Sequence, residues 1–368
     1  MQRALEHSLR GRGAVSPNPL VGCVLVRDGE VIGEGYHAKY GAAHAEAAAV
    51  ADCKARGNSA EGATAYVTLE PCAHFGKTPP CADLLVSEKI ARCVIAVQDP
   101  YKQVDGRGIE KLHAAGIEVE VGLCEGEARE TNKFFLKHAA TGIPYLTLKI
   151  GMSLDGKVAL KNGKSKYITN EASRREVHRM RSYYDAVMVA SATVLADDPE
   201  LTVRLVEGRS PRRIILDSSL RVDLEAKVYS DAQAASTIII ANRRAAEDKA
   251  QKVRTLEERG VTLITLEVGS EQLDMQAVLK ELGSMGINSI LVEPGPTLAT
   301  TLLQASTPDE LVFFLAPIVL GNDARSVIGD LHLRALNDSP RYQLLEAGRV
   351  EETSDVFLRY GRSEAGKM

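Results

Sequence analysis

Two α/β domains are the fold that the sequence predicts, and three observations lead there. A chain of 368 residues exceeds one ordinary core, because domains hold roughly 100–200 residues each. Strand-like and helix-like stretches alternate through both halves, which means sheets covered by helices, and Thr141-Gly142-Ile143-Pro144 breaks the pattern between them. All six cysteines, at positions 23, 53, 72, 81, 93 and 124, lie in the first half, so the halves carry different chemistry. The expected domains are 1–142 and 143–368.

The first half opens with a helix. Asp28-Gly29 then separates Leu20–Val26 from Val31–Tyr36, a strong signal for an antiparallel hairpin. A helical run from His44 to Arg56 stops at Gly57. After it come a strand from Thr64 to Leu69, a proline-rich loop, a helix over about 80–89, and a strand from Arg92 to Val97. A helix ending at Gly116, a strand from Ile117 to Val121 and one helix from Glu125 to His138 complete the half. The second half starts with a strand from Tyr145 to Ile150. A helix over about 171–183 precedes strands at Ala186–Ala190, Arg213–Asp217, Thr237–Ala241 and Val261–Leu266. The helix Met275–Met285, the strand Ile287–Glu293, a further helix and a strand-rich final third follow. No repeat period links the halves.

Composition removes several function classes. With a net charge of −4, the chain has no global positive field to hold a nucleic-acid backbone or an anionic membrane. Its first residues, Met-Gln-Arg-Ala-Leu-Glu-His, contain no apolar signal core. The longest apolar run, Leu311 to Leu320, is too short for the roughly 20 residues of a membrane span and contains Pro317. A cytoplasmic enzyme is expected, in which exposed cysteines serve metal binding or catalysis rather than disulfides.

One cluster carries that chemistry. His44-Ala45-Glu46 opens a helix, and Pro71-Cys72 and Cys81 follow a strand. One imidazole and two thiolates suit a tetrahedral Zn²⁺ that keeps its fourth position open, the mark of a catalytic rather than structural ion. Zinc lowers the pKa of water from about 16 to about 7. A proton shuttle that does not ligate the metal is still needed, and Glu46 is the candidate. The general signature of zinc deaminases is H-x-E followed by P-C-x-x-C, whereas Cys72 and Cys81 are nine positions apart. The competing reading makes these cysteines inert thiols and His44 a helix cap.

The longer segment from Pro71 through Cys72-Ala73-His74-Phe75-Gly76-Lys77-Thr78-Pro79-Pro80 to Cys81, preceded by Val67-Thr68-Leu69-Glu70, resembles the deaminase half of the bifunctional riboflavin-biosynthesis deaminase/reductases. Ser16-Pro17-Asn18-Pro19, Val21-Gly22-Cys23-Val24 and Gln98-Asp99-Pro100 extend the resemblance over the first half. It implies a cytidine-deaminase-like α/β/α domain in which Asn18, His74 and Lys77 contact the pyrimidine or its ribose phosphate. Read by itself, Lys77 is equally a solvated loop charge.

Leu148-Lys149-Ile150-Gly151-Met152-Ser153-Leu154-Asp155-Gly156-Lys157 resembles the reductase half of the same family, which is similar in fold to dihydrofolate reductase. Ser191-Ala192-Thr193-Val194-Leu195-Ala196-Asp197-Asp198-Pro199, Leu201-Thr202-Val203-Arg204 and Val292 to Leu298 continue the match. Physically, Gly295-Pro296-Thr297 between a strand and a helix offers backbone N–H groups to an anion such as a dinucleotide pyrophosphate, although the same turn also serves as a plain helix cap. The resemblance implies NADPH, lined by Gly151, Tyr167, Thr193, Asp197, Ser218 and the segment Gly295, Pro296, Thr297, Leu298, Ala299, Thr300 and Thr301. It also implies that Lys149, Ser165, Arg181, Leu201, Arg204 and Glu293 hold the substrate, with Arg243 or Arg244 a further candidate for a ribose phosphate. Asp155 reads as a turn residue.

The expected function is therefore zinc-dependent hydrolytic deamination of 2,5-diamino-6-(5-phosphoribosylamino)pyrimidin-4(3H)-one. NADPH-dependent reduction of its ribosyl group then gives 5-amino-6-(5-phosphoribitylamino)uracil. The rival reading is a nucleoside or tRNA deaminase with an accessory nucleotide-binding domain. A homo-oligomer, dimer or higher, is expected from the resemblance.

Overall fold

The structure is a computed structural model that describes residues 1–75, 79–267 and 273–363. Two units make up the chain, Met1–Ile143 and Pro144–Met368.

In the first unit, helix α1 (Gln2–Leu9) leads to strands β1 (Gly22–Arg27) and β2 (Glu30–Tyr36), which pair antiparallel. Asp28 and Gly29 both take positive φ, 52° and 82°, as the Asp-Gly turn requires. Helix α2 (Ala45–Ala55), β3 (Thr64–Val67), α3 (Cys81–Ser87), β4 (Arg92–Ile95), α4 (Arg107–Ala114), β5 (Glu118–Val121), α5 (Glu125–Thr131) and α6 (Lys133–Thr141) follow. The sheet order is β2-β1-β3-β4-β5, with β3, β4 and β5 parallel. Strand alternation sends Cys23, Leu25, Ala65, Val67, Cys93 and Ile95 into a core with Ala49, Leu85 and Leu112. Leu69 and Ala96 go to the opposite core, with Leu5, Ala128 and Leu136. The result is a three-layer α/β/α sandwich. Fully burying one such Leu or Ile contributes about 1.5–3 kcal/mol.

The single helix expected from Glu125 to His138 is two helices. Asn132 interrupts it, because its buried side chain accepts the Leu20 N–H (2.8 Å) and donates to the Leu20 carbonyl (2.9 Å). That pairing spans 112 residues, so no local pattern announces it.

Two glycines of β2 let α2 lie against the sheet. A Cβ on Gly35 would fall 2.4 Å from the Ala49 nitrogen and 2.7 Å from the Ala45 oxygen, and one on Gly33 would fall 2.5 Å from the Ala49 oxygen. These neighbours are backbone and cannot rotate away. Gly35→Ala is therefore expected to push α2 outward and to destabilise the first unit by about 2–3 kcal/mol. Differential scanning calorimetry reads this as a lowered transition, and an unchanged profile would contradict the close approach.

The second unit runs β6 (Tyr145–Ser153), β7 (Lys157–Ala159), α7 (Glu171–Tyr183), β8 (Ala186–Ala190), α8 (Ser191–Asp197), β9 (Arg212–Leu216), α9 (Lys227–Ser230), β10 (Thr237–Asn242), α10 (Arg243–Asp248) and α11 (Ala250–Glu258). It continues with β11 (Thr262–Leu266), α12 (Met275–Ser284), β12 (Ser289–Val292), α13 (Pro296–Gln304), β13 (Glu310–Ala316), β14 (Arg325–Ser326), β15 (Tyr342–Arg349) and β16 (Val356–Arg362). Nine strands form one sheet in the order β11-β10-β9-β8-β12-β6-β13-β16-β15. Pairs from β11 through β13 are parallel, and β16 and β15 close the edge antiparallel. Buried on both faces, the central strands read as continuous Val, Ile, Leu and Met.

Helices α8 to α11 are additions to the sequence reading. They are short or weakly patterned, and each is fixed by its place beside the sheet. Strands β8 and β12 are neighbours, yet β8 leads outward to β9 while β12 leads the other way, toward β13. Such a reversal opens a crevice at the carboxyl ends of the strands, where α/β sheets bind nucleotides.

Candidate metal centre and nucleotide crevice

In the first unit, the donors converge because α2 and α3 both start beside the loop that follows β3. His44 is the N-cap of α2 in an extended conformation (φ −71°, ψ 163°), and its side chain makes no capping hydrogen bond. The helix-cap alternative for His44 thus falls. Cys72 follows β3 by five residues, and Cys81 is the first residue of α3. The Cys81 N–H donates to the Cys72 sulfur (3.3 Å), and the Ala82 N–H donates to the Cys72 carbonyl (3.1 Å), so the nine-residue spacing is closed by backbone.

The His44 Nδ1 atom stands 3.6 Å from the Cys72 Sγ and 3.4 Å from the Cys81 Sγ, and all three donor atoms lie within 4.8 Å of one another. A tetrahedral zinc with bonds of about 2.3 Å to sulfur and about 2.0 Å to nitrogen needs N···S edges of about 3.5 Å. The donor set fits the ion.

Glu46 sits in the first turn of α2, buried, with its carboxyl beside the Cys81 sulfur but outside the three-donor group. Burial, reinforced by the neighbouring Cys72, pushes this carboxyl up to about 7. The two thiols share one hydrogen bond. Cys81 donates to Cys72, which draws the Cys72 thiol down to about 4 and drives that of Cys81 upward.

Around this centre, the Asn18 Nδ2 meets the His37 Nε2 at 3.0 Å. His74 faces the Tyr101 ring with centroids 6.1 Å apart, and the Tyr101 N–H donates to Asp99 Oδ1 (2.8 Å). Burial pushes Asp99 up to about 7. Lys77 lies outside the described residues. Sequence reasoning passed over Glu70, whose buried carboxylate accepts N–H groups from Asp99, Gly106, Gly108 and Ile109 at 2.9–3.2 Å. Its partners are 29 to 39 residues away, and only its place directly before Pro71-Cys72 hinted at a role.

In the second unit, three of the expected residues, Arg181, Glu293 and Lys149, come together. Arg181 donates through Nε to Glu293 Oε1 (2.6 Å) and through Nη1 to the Thr202 carbonyl (3.1 Å). The Lys149 Nζ is 3.7 Å from Glu293 Oε2, and the Arg204 Nη1 donates to Thr202 Oγ1 (2.7 Å). Leu201 is different, because its side chain is packed in the hydrophobic core and only its backbone is left for a ligand. His178 was not foreseen; its Nδ1 accepts the Arg204 N–H (3.1 Å).

Gly295 caps α13 and stands by Thr193, whose Oγ1 would lie 3.9 Å from an added Cβ. Pro296 and Thr297 open that helix, and Leu298 and Ala299 turn into the core. The Thr300 hydroxyl donates to the Pro296 carbonyl (2.7 Å) and accepts the Gly329 N–H (2.7 Å), while that of Thr301 donates to the Thr297 carbonyl (3.0 Å). Gly151 leaves room for Thr169, 3.3 Å from its absent Cβ. Ser218 follows β9, and its carbonyl accepts the Asn242 N–H (2.9 Å). Asp197 accepts at its carbonyl from the Lys166 Nζ (3.3 Å). Tyr167 is 72% exposed beneath the Arg174 guanidinium, and Ser165, nearby in the chain, is half-buried. Asp155 sits in a turn, where it accepts from the Ser153 hydroxyl and the Leu320 and Gly321 N–H groups.

The charge cluster predicts acid sensitivity. Burial opposes ionisation of Glu293, but Arg181 and Lys149 outweigh it and hold the carboxyl at about 2. Burial, with Arg181 and Arg204 beside it, lowers His178 to about 4. Both folded values lie below the ordinary ones. The His178 contribution is thus complete above pH 6.5 and is lost as pH falls toward 4, and the Glu293 contribution is lost between about 4.5 and 2. Between pH 7 and 4 the second unit is expected to lose on the order of 1–2 kcal/mol through His178 once solvent screening is allowed for, and His178→Gln is expected to flatten the fall. Calorimetry across that range checks it; equal slopes in both proteins would contradict it.

A three-donor centre with a non-ligating carboxylate, and in the second unit a parallel sheet whose strand order reverses between β8 and β12, define the class as an enzyme joining a zinc-type deaminase to a reductase. Residues 1–97 match the family model described as the cytidine and deoxycytidylate deaminase zinc-binding region, and residues 144–353 match that of the RibD C-terminal domain. The chain is 44% identical to riboflavin biosynthesis protein RibD of Escherichia coli K12, covering 95% of each chain. It is 41% identical to that of Aquifex aeolicus, over 98% of this chain and 97% of the relative. Among solved structures, RibD of Acinetobacter baumannii (form 1) superposes with a TM-score of 0.88 at 37% identity, covering 99% and 98%. A Thermotoga maritima diaminohydroxyphosphoribosylaminopyrimidine deaminase/5-amino-6-(5-phosphoribosylamino)uracil reductase gives 0.85 at 34%, covering 99% and 97%. The chain belongs to the RibD family, the bifunctional deaminase/reductases of riboflavin biosynthesis.

Proposed function

We propose that residues 1–142 hydrolyse the 2-amino group from 2,5-diamino-6-(5-phosphoribosylamino)pyrimidin-4(3H)-one, and that residues 143–368 then reduce the ribosyl group with NADPH to give 5-amino-6-(5-phosphoribitylamino)uracil. The observation that carries this reading is the tetrahedral spacing of His44, Cys72 and Cys81 with Glu46 beside them and unligated. The Thermotoga relative bears both activities in its name.

When bound, zinc supplies Lewis acidity that makes water nucleophilic at neutral pH. Glu46 takes a proton from the attacking water on its carboxylate and delivers it to the ring nitrogen; a second transfer lets the amine leave as ammonia. A carboxyl near pH 7 serves both directions. Asn18, His74 and Lys77 hold the pyrimidine ribose phosphate.

In the reductase, Gly151, Tyr167, Thr193, Asp197, Ser218 and the segment 295–301 line NADPH. The N-terminus of α13 favours the pyrophosphate. When bound, NADPH would supply a hydride for C1′ of the ribosyl group, and the ring oxygen released from C1′ then needs a proton. Lys149, whose pKa burial lowers, serves as the proton source among the charged trio. Arg181 and Arg204 hold substrate oxygens, helped by Ser165, the Leu201 backbone and Glu293. The net charge of −4 favours a small substrate over RNA. Among the described residues no helix is long and apolar enough to cross a membrane. Thiolate ligands call for a reducing compartment, which makes the cytoplasm the place of action. Self-association is part of the reading, and Leu344 and Leu345 exposed on edge strand β15 favour it.

The test supplies the diaminopyrimidinone to the full chain. Ammonia release without NADPH, followed by NADPH oxidation that depends on the deaminated product, supports the assignment. Turnover of cytidine or tRNA in its place would overturn it.

A further inference from the structure

The residue pair Asn18–His37 carries a directional consequence. His37 is 3% exposed and stands edge-on to the His44 ring, with centroids 5.4 Å apart. Its Nδ1 is 3.0 Å from the Ala43 carbonyl, which only accepts, so Nδ1 bears a proton. Its Nε2 faces the Asn18 Nδ2 at 3.0 Å, and an amide NH₂ group only donates, so Nε2 accepts and the amide is held one way round. The Asn18 backbone N–H donates to the Val15 carbonyl, while Oδ1 has no partner among the described residues.

We propose that His37 is a positioning residue for deamination: by accepting from Asn18 Nδ2 it turns Asn18 Oδ1 toward the substrate, so that Asn18 reads an N–H of the pyrimidine and not its phosphate. The inference rests on the deaminase reading above and deepens it. A phosphate offers acceptors only and would meet an acceptor here, whereas the amino groups and ring N–H of a diaminopyrimidinone are donors. A site built to bond such a donor rejects a ligand that lacks it. A histidine between a carbonyl and an amide thereby converts a symmetric-looking side chain into a selective one.

The experiment compares wild type, His37→Leu, His37→Gln, Asn18→Ala and the Asn18→Ala/His37→Leu double variant as full-length zinc-loaded proteins. Readouts are deaminase kcat and KM, zinc per chain, inhibition of deamination by ribose 5-phosphate, and reductase rate as the folding control. His37→Leu is expected to lower deaminase kcat/KM about 10–100-fold, the loss typical of one buried hydrogen bond. Zinc content, ribose 5-phosphate inhibition and reductase rate stay at wild-type levels. His37→Gln, whose Oε1 can accept from Asn18, recovers most of the loss. The double variant is no worse than Asn18→Ala, because His37 acts only through Asn18.

Multiplying losses in the double variant would overturn the proposal, as would wild-type deamination by His37→Leu, zinc loss from it, or weakened ribose 5-phosphate inhibition. A wild-type protein that does not deaminate the diaminopyrimidinone would instead remove the underlying reading.

Discussion

Glu46→Gln is expected to keep one zinc ion per chain and to lose ammonia release by about 10²–10⁴-fold, the range that a positioned proton carrier contributes. The carboxamide has the size of the carboxyl and leaves His44, Cys72 and Cys81 untouched, but it cannot accept and return a proton. Burial has already brought this carboxyl to about 7, so it changes protonation state at little cost near neutral pH. The substitution also removes a buried ionisable group, so the first unit is not expected to lose stability. Elemental analysis together with an ammonia assay decides the matter: active Glu46→Gln protein would take the proton step away from this residue, and zinc-free variant protein would make Glu46 a ligand.

The second large effect falls on the reductase. Glu293→Gln leaves the buried Arg181 and Lys149 without their shared counter-charge, which they now approach at 2.6 and 3.7 Å. Breaking a buried pair by removing one partner costs about 3–5 kcal/mol. The Arg181 guanidinium is also expected to swing from the direction in which it meets the substrate. The expected outcome is a reductase transition lowered by several degrees and NADPH turnover reduced at least about 100-fold, with ammonia release unchanged. Lys149→Met is expected to cost less stability, because the shorter Arg181–Glu293 bond survives it. Calorimetry and NADPH absorbance read both; Glu293→Gln with normal turnover would show that the trio only supports the fold.

Local chemistry made much of this legible. Asp28-Gly29 declares its hairpin, and His44, Glu46, Cys72 and Cys81 declare a metal donor set, because each signal lies in residue type and short spacing. The strands of the second unit are legible for the same reason, as runs such as Thr237–Asn242 have no polar side to offer water. What stayed hidden depends on long-range contacts. Asn132 breaks a helix by binding Leu20, Glu70 bonds N–H groups from a loop 29 to 39 residues downstream, and the His178 pKa falls because the folded chain buries the ring beside Arg181 and Arg204. Leu201 shows the converse, since the resemblance marked the residue but not that its side chain belongs to the core.

The claim on which the account turns is that His44, Cys72 and Cys81 hold one zinc ion that deamination requires and reduction does not. Stripping the metal from the full chain with a chelator, then measuring zinc content beside both rates, tests it most directly. Ammonia release is expected to fall in step with zinc and to return on adding it back, while NADPH oxidation with the deaminated substrate continues unchanged; undiminished ammonia release from protein without metal would contradict the claim.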